Sequence, residues 1–137
     1  MDSHILVATD GTEHSKNAVA YGVHIAILSK AELTIAVVNV ALGGIGGPVL
    51  YAYSDMDAKK IASSAAEKAQ LAGVKRVHEV VILSREADSG IVQYADDKKI
   101  DHIVVGTGDK SGVSRLVLGS VAADVARRGH CTVTIAR

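Results

Sequence analysis

Short apolar runs rich in β-branched residues alternate along the chain with longer stretches in which apolar residues recur at helical spacing. The runs predict five strands, at 5–8, 33–40, 77–83, 102–105 and 131–136. The helical spacing predicts four helices: from Thr12 or Glu13 to about Ser29, from Ser54 or Asp57 to Leu71, at 89–99 and at 120–128. This alternation is typical of an α/β domain with a mostly parallel sheet. Right-handed crossovers then favour the strand order 3-2-1-4-5.

Two glycine features modify this pattern. Gly22 lies inside the first predicted helix, where glycine is unfavourable by roughly 1 kcal/mol relative to alanine, and we interpret it as a point of close approach to the sheet. Residues 41–55 contain four glycines and the only proline of the chain, Pro48. We expect this segment to be a mobile connection, longer than a simple crossover needs.

Length and composition restrict the class of protein. The 137 residues predict a single domain over 1–137, and the 15 basic and 15 acidic residues cancel. A neutral chain without Phe or Trp argues against a nucleic-acid partner, since such partners favour a basic surplus and stacking rings. The lone Cys131 excludes an internal disulfide and a multi-cysteine metal site. With no basic leader and no apolar stretch of about 18 residues, we expect a cytoplasmic protein without a membrane partner.

Candidate chemistry gathers where two segments follow the first and fourth predicted strands. In an open parallel sheet these strand ends flank the point where the strand order reverses, which is where ligands bind. One segment is residues 8–11; the other is a glycine-rich loop from Gly106 to Gly112 that leads to Ser120 at the start of the last helix. Backbone N–H groups of such a loop and of a helix N-terminus can bind phosphate. The alternative is that these glycines only form tight turns.

Asp10, His14 and Cys131 are the side chains whose chemistry needs interpretation. Asp10 can accept a ribose hydroxyl or help to hold a metal, or it can form an Asx turn at the helix start. The histidines show no metal-ligand spacing; of these, only His14 lies near the predicted pocket, and we favour a solvated helix position for it. Cys131, at the start of the last strand, is interpreted as a buried, inert thiol.

Two blocks of the chain resemble the universal stress protein family. Residues 7–15, Val-Ala-Thr-Asp-Gly-Thr-Glu-His-Ser, resemble its opening strand and turn, and residues 100–137 resemble its closing block. The resemblance covers essentially the whole chain. It implies a three-layer αβα sandwich, Rossmann-like and similar to the adenine nucleotide alpha hydrolases, with a five-stranded parallel sheet. It also implies a homodimer formed through the last strand, 131–136.

The resemblance further implies an adenine nucleotide site for ATP or AMP, with Mg or Mn accompanying the nucleotide. Residues at the strand ends would border the base and ribose, and residues of the glycine loop and last helix would hold the phosphates. The implied positions are Ala8, Thr9, Asp10, Val40, Gly106, Gly108, Asp109, Gly119, Ser120 and Val121.

The glycine motif is imperfect at its second position. The nucleotide-binding branch has glycine, two residues, glycine, nine residues, then glycine and Ser or Thr, and position 109 is aspartate here. A carboxylate about 5 Å from a phosphate costs roughly 1 to 3 kcal/mol. Lys110 and Arg115 can offset this charge, and a divalent metal can use Asp109 as a ligand.

Three functions therefore compete at the level of sequence. The leading hypothesis is a regulatory nucleotide-binding dimer that acts in the stress response. The second is a dimeric interaction module of the same family that has lost nucleotide binding, for which Asp109 is the sequence argument. The third is an enzyme, at most a weak ATPase, for which only Asp10, Asp109 and His14 could orient a water molecule.

Overall fold

The computed structural model describes residues 3–107 and 120–137, and these form six strands and four helices. The elements, in chain order, are β1 (His4–Ala8), α1 (Glu13–Ser29), β2 (Glu32–Gly43), β3 (Val49–Tyr51), α2 (Asp55–Ala72), β4 (Val77–Ser84), α3 (Ala87–Asp97), β5 (His102–Gly106), α4 (Ser120–Arg128) and β6 (Thr132–Ala136). The nine elements predicted from periodicity are confirmed, with ends that agree to within three residues.

The parallel strands follow the order β4-β2-β1-β5-β6. This is the predicted order 3-2-1-4-5 once the strands are counted without β3. The strand β1 lies between β2 and β5, with Val7 opposite Ile35 on one side and opposite Val104 on the other. The carboxyl ends of β1 and β5 therefore meet at the point where the strand order reverses.

The predicted five-stranded parallel sheet is confirmed, and it carries one additional, antiparallel strand. β2 continues to Gly43, and β3 pairs with its end in antiparallel fashion, so that Leu42 lies opposite Leu50. Gly43 and Gly44 have φ of 75° and 93°, and these left-handed conformations let the chain reverse there. Much of the segment that we expected to be a mobile connection is thus a β-hairpin.

Two apolar layers cover the sheet, and neither contains an aromatic residue among its fully buried members. On one face, Ile5, Val7, Leu33 and Ile35 pack against alanines of α1 and α2. On the other face, Leu6, Ala36 and Ile103 pack against α3 and α4. The alternation of residues 5 to 7 between the two layers follows from the two-residue period of a strand.

Gly22 permits the closest approach of a helix to the sheet. A Cβ atom built on Gly22 would lie 2.2 Å from Cγ2 of Val7, a residue with no exposed surface. The interpretation of Gly22 as a close contact is confirmed. This contact sets the middle of α1 close against β1.

Candidate functional site

A cleft of about 210 Å³ lies at the carboxyl ends of β1 and β5. Its described lining combines an aliphatic wall with hydroxyls, one carboxylate and a helix N-terminus: Ala8, Thr9, Asp10, Thr12, Ser15, Val38, Ala87, Ile91, Val105, Gly106, Thr107, Ser120, Val121 and Ala122. The cleft therefore occupies the position at which open α/β sheets bind their ligands.

The turn after β1 is fixed by its own hydroxyl groups. The buried Thr9 and Ser15 hydroxyls lie 2.7 Å apart, and the Gly11 N–H donates to Thr9 Oγ1 at 3.2 Å. The Thr9 N–H donates to the carbonyl of Ala36 on the neighbouring strand, at 2.9 Å. One wall of the cleft is thus held rigidly to the sheet before any ligand arrives.

Asp10 forms the Asx turn that was one of its two interpretations. Its Oδ1 accepts hydrogen bonds from the N–H of Thr12 at 3.0 Å and from the Thr12 hydroxyl at 2.6 Å. Partial burial raises the pKa of Asp10, but the hydrogen bonds from Thr12 outweigh it and bring the pKa below its ordinary value. The carboxylate is therefore ionised at neutral pH and held at the mouth of the cleft.

The phosphate-binding residues predicted on the opposite wall are described only in part. Gly106, at the end of β5, and Ser120 and Val121, in the first turn of α4, line the cleft. The first N–H groups of a helix have no acceptor within it, so this turn can bind an anion. Gly108, Asp109 and Gly119, with Lys110 and Arg115, lie outside the described residues.

Gly106 also has a structural role, because a Cβ atom there would lie 3.0 Å from the carbonyl oxygen of His14. The glycine thus lets the first turn of α1 pack against the end of β5. A role in packing and a role in phosphate binding are compatible at this position.

Val40 is the predicted site residue that the structure does not bring into the cleft. Its carbonyl accepts a hydrogen bond from the N–H of Ala52, beyond the hairpin, at 3.0 Å. Val38 lines the cleft instead. Both residues project from the same face of β2, since alternate residues of a strand share a face. Which of the two lines the cleft depends on the point along β2 that lies beside it.

The shortage of aromatic residues predicts an aliphatic wall for a bound base, but the individual residues of that wall were not predicted. Val38, Ile91 and Val105 come from three different elements, and each lies in an ordinary apolar run of the sequence. The only sequence signal for each of them is that it follows the apolar core pattern of its own strand or helix.

Tyr53 contacts the turn after β1 from the other side of the sheet. Its hydroxyl donates to the carbonyl of Asp10 at 3.3 Å, and its side chain packs against the apolar cluster of Val37, Ala58 and Ala62. Neither Tyr53 nor Tyr51 is part of the cleft lining. The two rings therefore offer no stacking surface to a base in this cleft.

Cys131 is not among the residues that line the cleft. Burial raises the pKa of the Cys131 thiol, which makes it a poorer nucleophile at neutral pH. Across residues 3–107 and 120–137, no three His, Cys, Asp or Glu side chains are grouped closely enough to hold a metal ion.

In the same ranges, no helix is both long and apolar enough to cross a membrane.

The fold and the cleft define a class: a Rossmann-like α/β domain with a ligand site at its topological switch point. The model of the universal stress protein family matches residues 1–137. This chain belongs to the universal stress protein family.

Individual relatives agree with this assignment. The universal stress protein MJ0531 of Methanocaldococcus jannaschii is 34% identical, covering 97% of this chain and 81% of the relative. YxiE of Bacillus subtilis is 32% identical over the full length of both chains. A universal stress protein solved in complex with cAMP superposes with a TM-score of 0.79 at 27% identity, covering 99% of this chain and 97% of the other.

Proposed function

We propose that this protein is a regulatory universal stress protein that binds an adenine nucleotide in the cleft between β1 and β5. The observation that carries the proposal is the convergence of three kinds of group on one cleft. Val38, Ile91 and Val105 offer an aliphatic wall for a base, Asp10 an acceptor for ribose hydroxyls, and the first turn of α4 an anion site. The complex of the 27% identical relative with cAMP supports this ligand class.

The base in this proposal is held without aromatic stacking. The wall is aliphatic, so contact area and backbone hydrogen bonds supply the affinity for the base. AMP and ATP are the expected ligands, and cAMP joins them as a ligand to be tested. When ATP is bound, Mg²⁺ or Mn²⁺ accompanies it, with Asp10 the described carboxylate at the cleft that can approach the metal.

Titration calorimetry with AMP, ATP and cAMP, with and without Mg²⁺, tests the proposal. The critical variant is Ala87→Trp, at the first residue of α3, which fills the cleft from its rim. The matched control is Ala126→Trp, at an exposed position of α4 that does not line the cleft. We expect Ala87→Trp to weaken binding at least tenfold and Ala126→Trp to leave it unchanged. Equal affinities of the two variants would place the nucleotide elsewhere.

The nucleotide-free interaction module remains the alternative because of Asp109. The variant Asp109→Gly restores the second glycine of the family motif. If the unmodified protein binds no nucleotide at millimolar concentration and Asp109→Gly does, the alternative is correct. If both bind, the proposed function stands and Asp109 only adjusts the affinity.

Hydrolysis of ATP is at most weak in this proposal. Asp10 Oδ1 is occupied by the Asx turn with Thr12, and the proposal assigns Oδ2 to the ribose or the metal, so that no described carboxylate of the cleft is left to orient a water molecule. Single-turnover hydrolysis by the unmodified protein and by Asp10→Asn tests this point. A hydrolysis rate that falls strongly in Asp10→Asn would identify Asp10 as catalytic.

We also propose that the protein acts as a homodimer in the cytoplasm, paired through residues 131–136. Within the described chain β6 pairs with β5 alone, so its outer edge is available to a second strand. Sedimentation equilibrium should give the mass of a dimer. Thr132→Lys, which places a charge on this exposed edge, should give a monomer with unchanged circular dichroism. A dimer that survives the substitution would use another face.

A further inference from the structure

A second and larger cavity lies on the opposite face of the sheet. It is a groove of about 830 Å³ between α1 and α2, and among the described residues only Thr9 lines both it and the nucleotide cleft. The groove and the cleft are therefore separate cavities that meet, in the described part of the chain, only at Thr9.

The floor of the groove is aliphatic. Val19 is only 9% exposed, and Val23, Ile61 and Ala65 are partly buried around it. Tyr53 closes one end, next to the turn after β1. An elongated apolar floor with a few polar groups at its edges is typical of a site for a small amphipathic ligand.

The polar rim of the groove is predominantly basic. Lys16, Lys60 and Lys68 line it, with Asp57 the single acid among the described lining residues. Lys16 is bound to Glu13 at 2.7 Å, whereas neither Lys60 nor Lys68 forms an ion pair within the described part of the chain. The rim thus holds two ammonium groups on α2 that no described carboxylate contacts directly, while Glu13 attracts Lys68 from a greater distance.

We propose that this groove binds a single-chain amphipathic anion of the fatty-acid type, with the alkyl chain on the floor and the carboxylate at Lys60 or Lys68. The aliphatic floor selects the chain, because burial of each methylene contributes about 0.8 kcal/mol when it is complete. The basic rim selects the negative head group. The proposal is independent of nucleotide binding and of its outcome.

A chain-length series gives the first test. Octanoate, decanoate and laurate are titrated into the full chain below their micelle thresholds by calorimetry. If the groove half-buries the chain, the affinity should rise about fourfold for each added pair of methylenes. Decanol and decyltrimethylammonium, with the same chain and no negative charge, should bind more weakly than decanoate. Absence of saturable decanoate binding, or equal binding of decanol, would overturn the proposal.

Charge variants on α2 locate the head group. Lys60→Met and Lys68→Met keep most of the unbranched side chain and remove its charge. At least one of them should weaken decanoate binding about 2- to 5-fold, the range of a partly exposed ion pair. Lys59→Met, at an exposed α2 position outside the lining, is the matched control and should have no effect. If all three variants bind decanoate equally, the rim does not recognise the anion.

A steric pair locates the alkyl chain. Ser64→Trp introduces an indole ring at an exposed position that lines the groove, and it should weaken decanoate binding at least tenfold. Gln70→Trp, also on α2 but outside the lining, should bind normally, as should the cleft variant Ala87→Trp. Weaker binding by Ala87→Trp with normal binding by Ser64→Trp would place the chain in the nucleotide cleft and refute the second site. Thermal unfolding of each variant checks that it is folded.

Discussion

The packing of Gly22 against Val7 gives a quantitative test of the fold that carries both cavities. Gly22 lies in the middle of α1 and Val7 in the central strand β1, and a Cβ atom on Gly22 would approach Cγ2 of Val7 to 2.2 Å. Ordinary contacts of this kind begin at 3.4 Å. An alanine at position 22 must therefore separate α1 from β1 by up to 1.2 Å, or force Val7 out of its conformation.

Two opposing effects set the magnitude for Gly22→Ala. Alanine in a helix interior gains roughly 0.5 to 1 kcal/mol over glycine. Overpacking of a close-packed core costs about 1 to 3 kcal/mol and more where backbone must move, and Val7 has no exposed surface through which to relax. We expect the overlap to dominate, so that the free energy of unfolding falls by about 1 to 3 kcal/mol.

Urea denaturation of a double-mutant cycle measures the effect. Val7→Ala alone should cost about 2 kcal/mol through the cavity that it leaves. The double variant Gly22→Ala/Val7→Ala should be more stable than the sum of the two losses by at least about 1 kcal/mol, because the new methyl group occupies the vacated space. Gly47→Ala is the control, since nothing lies within 4 Å of a Cβ there, and it should be neutral or slightly stabilising. Additive losses, or a Gly22→Ala variant as stable as the unmodified protein, would refute this account of the helix position.

Three further predictions concern the hairpin, the cleft and His4 at the start of β1. The buried Asn39 side-chain amide donates to the carbonyl of Tyr53 and accepts from its N–H, each at 2.8 Å. Asn39→Ala should therefore lower the free energy of unfolding by about 1 to 3 kcal/mol and speed hydrogen exchange of the Tyr53 amide. Unchanged exchange at Tyr53 would contradict this prediction. Ser120→Asp should preserve or raise the melting temperature, because a negative charge at a helix N-terminus is favourable. The same charge should weaken AMP binding about 5- to 100-fold by repelling the phosphate. Calorimetry that shows equal AMP affinity would place the phosphate away from α4. Burial lowers the pKa of His4 below 6.5 in the folded state. As the pH falls, His4 is therefore protonated at a higher pH in the unfolded chain than in the folded one, and the free energy of unfolding decreases below about pH 7. Chemical denaturation at pH 7.5 and 5.5 should show a smaller loss for His4→Gln than for the unmodified protein, and equal losses would assign the acid sensitivity to other groups.

The local pattern of the sequence was enough to predict most of the architecture. The continuous apolar run of β1 identified a central strand, and the alternation with helical stretches identified a doubly covered parallel sheet in the observed order. The position of the cleft followed from this order and from the general rule for switch points. Even the close contact of Gly22 was indicated, because glycine within a helix is unfavourable unless something requires it.

The tertiary structure decided the features that depend on residues distant along the chain. The pairing of Leu42 with Leu50 turned a predicted connection into a hairpin, and the amide of Asn39 holds Tyr53 on the far side of the sheet. Val38, and not Val40, lines the cleft. The periodicity of a strand fixes which face a side chain occupies, but how far along the strand another element passes depends on the packing of the whole domain. The sequence by itself therefore determined nine of the ten described elements, the order of the parallel strands and the location of the cleft, whereas packing decided which residues line the cleft and formed the groove between α1 and α2.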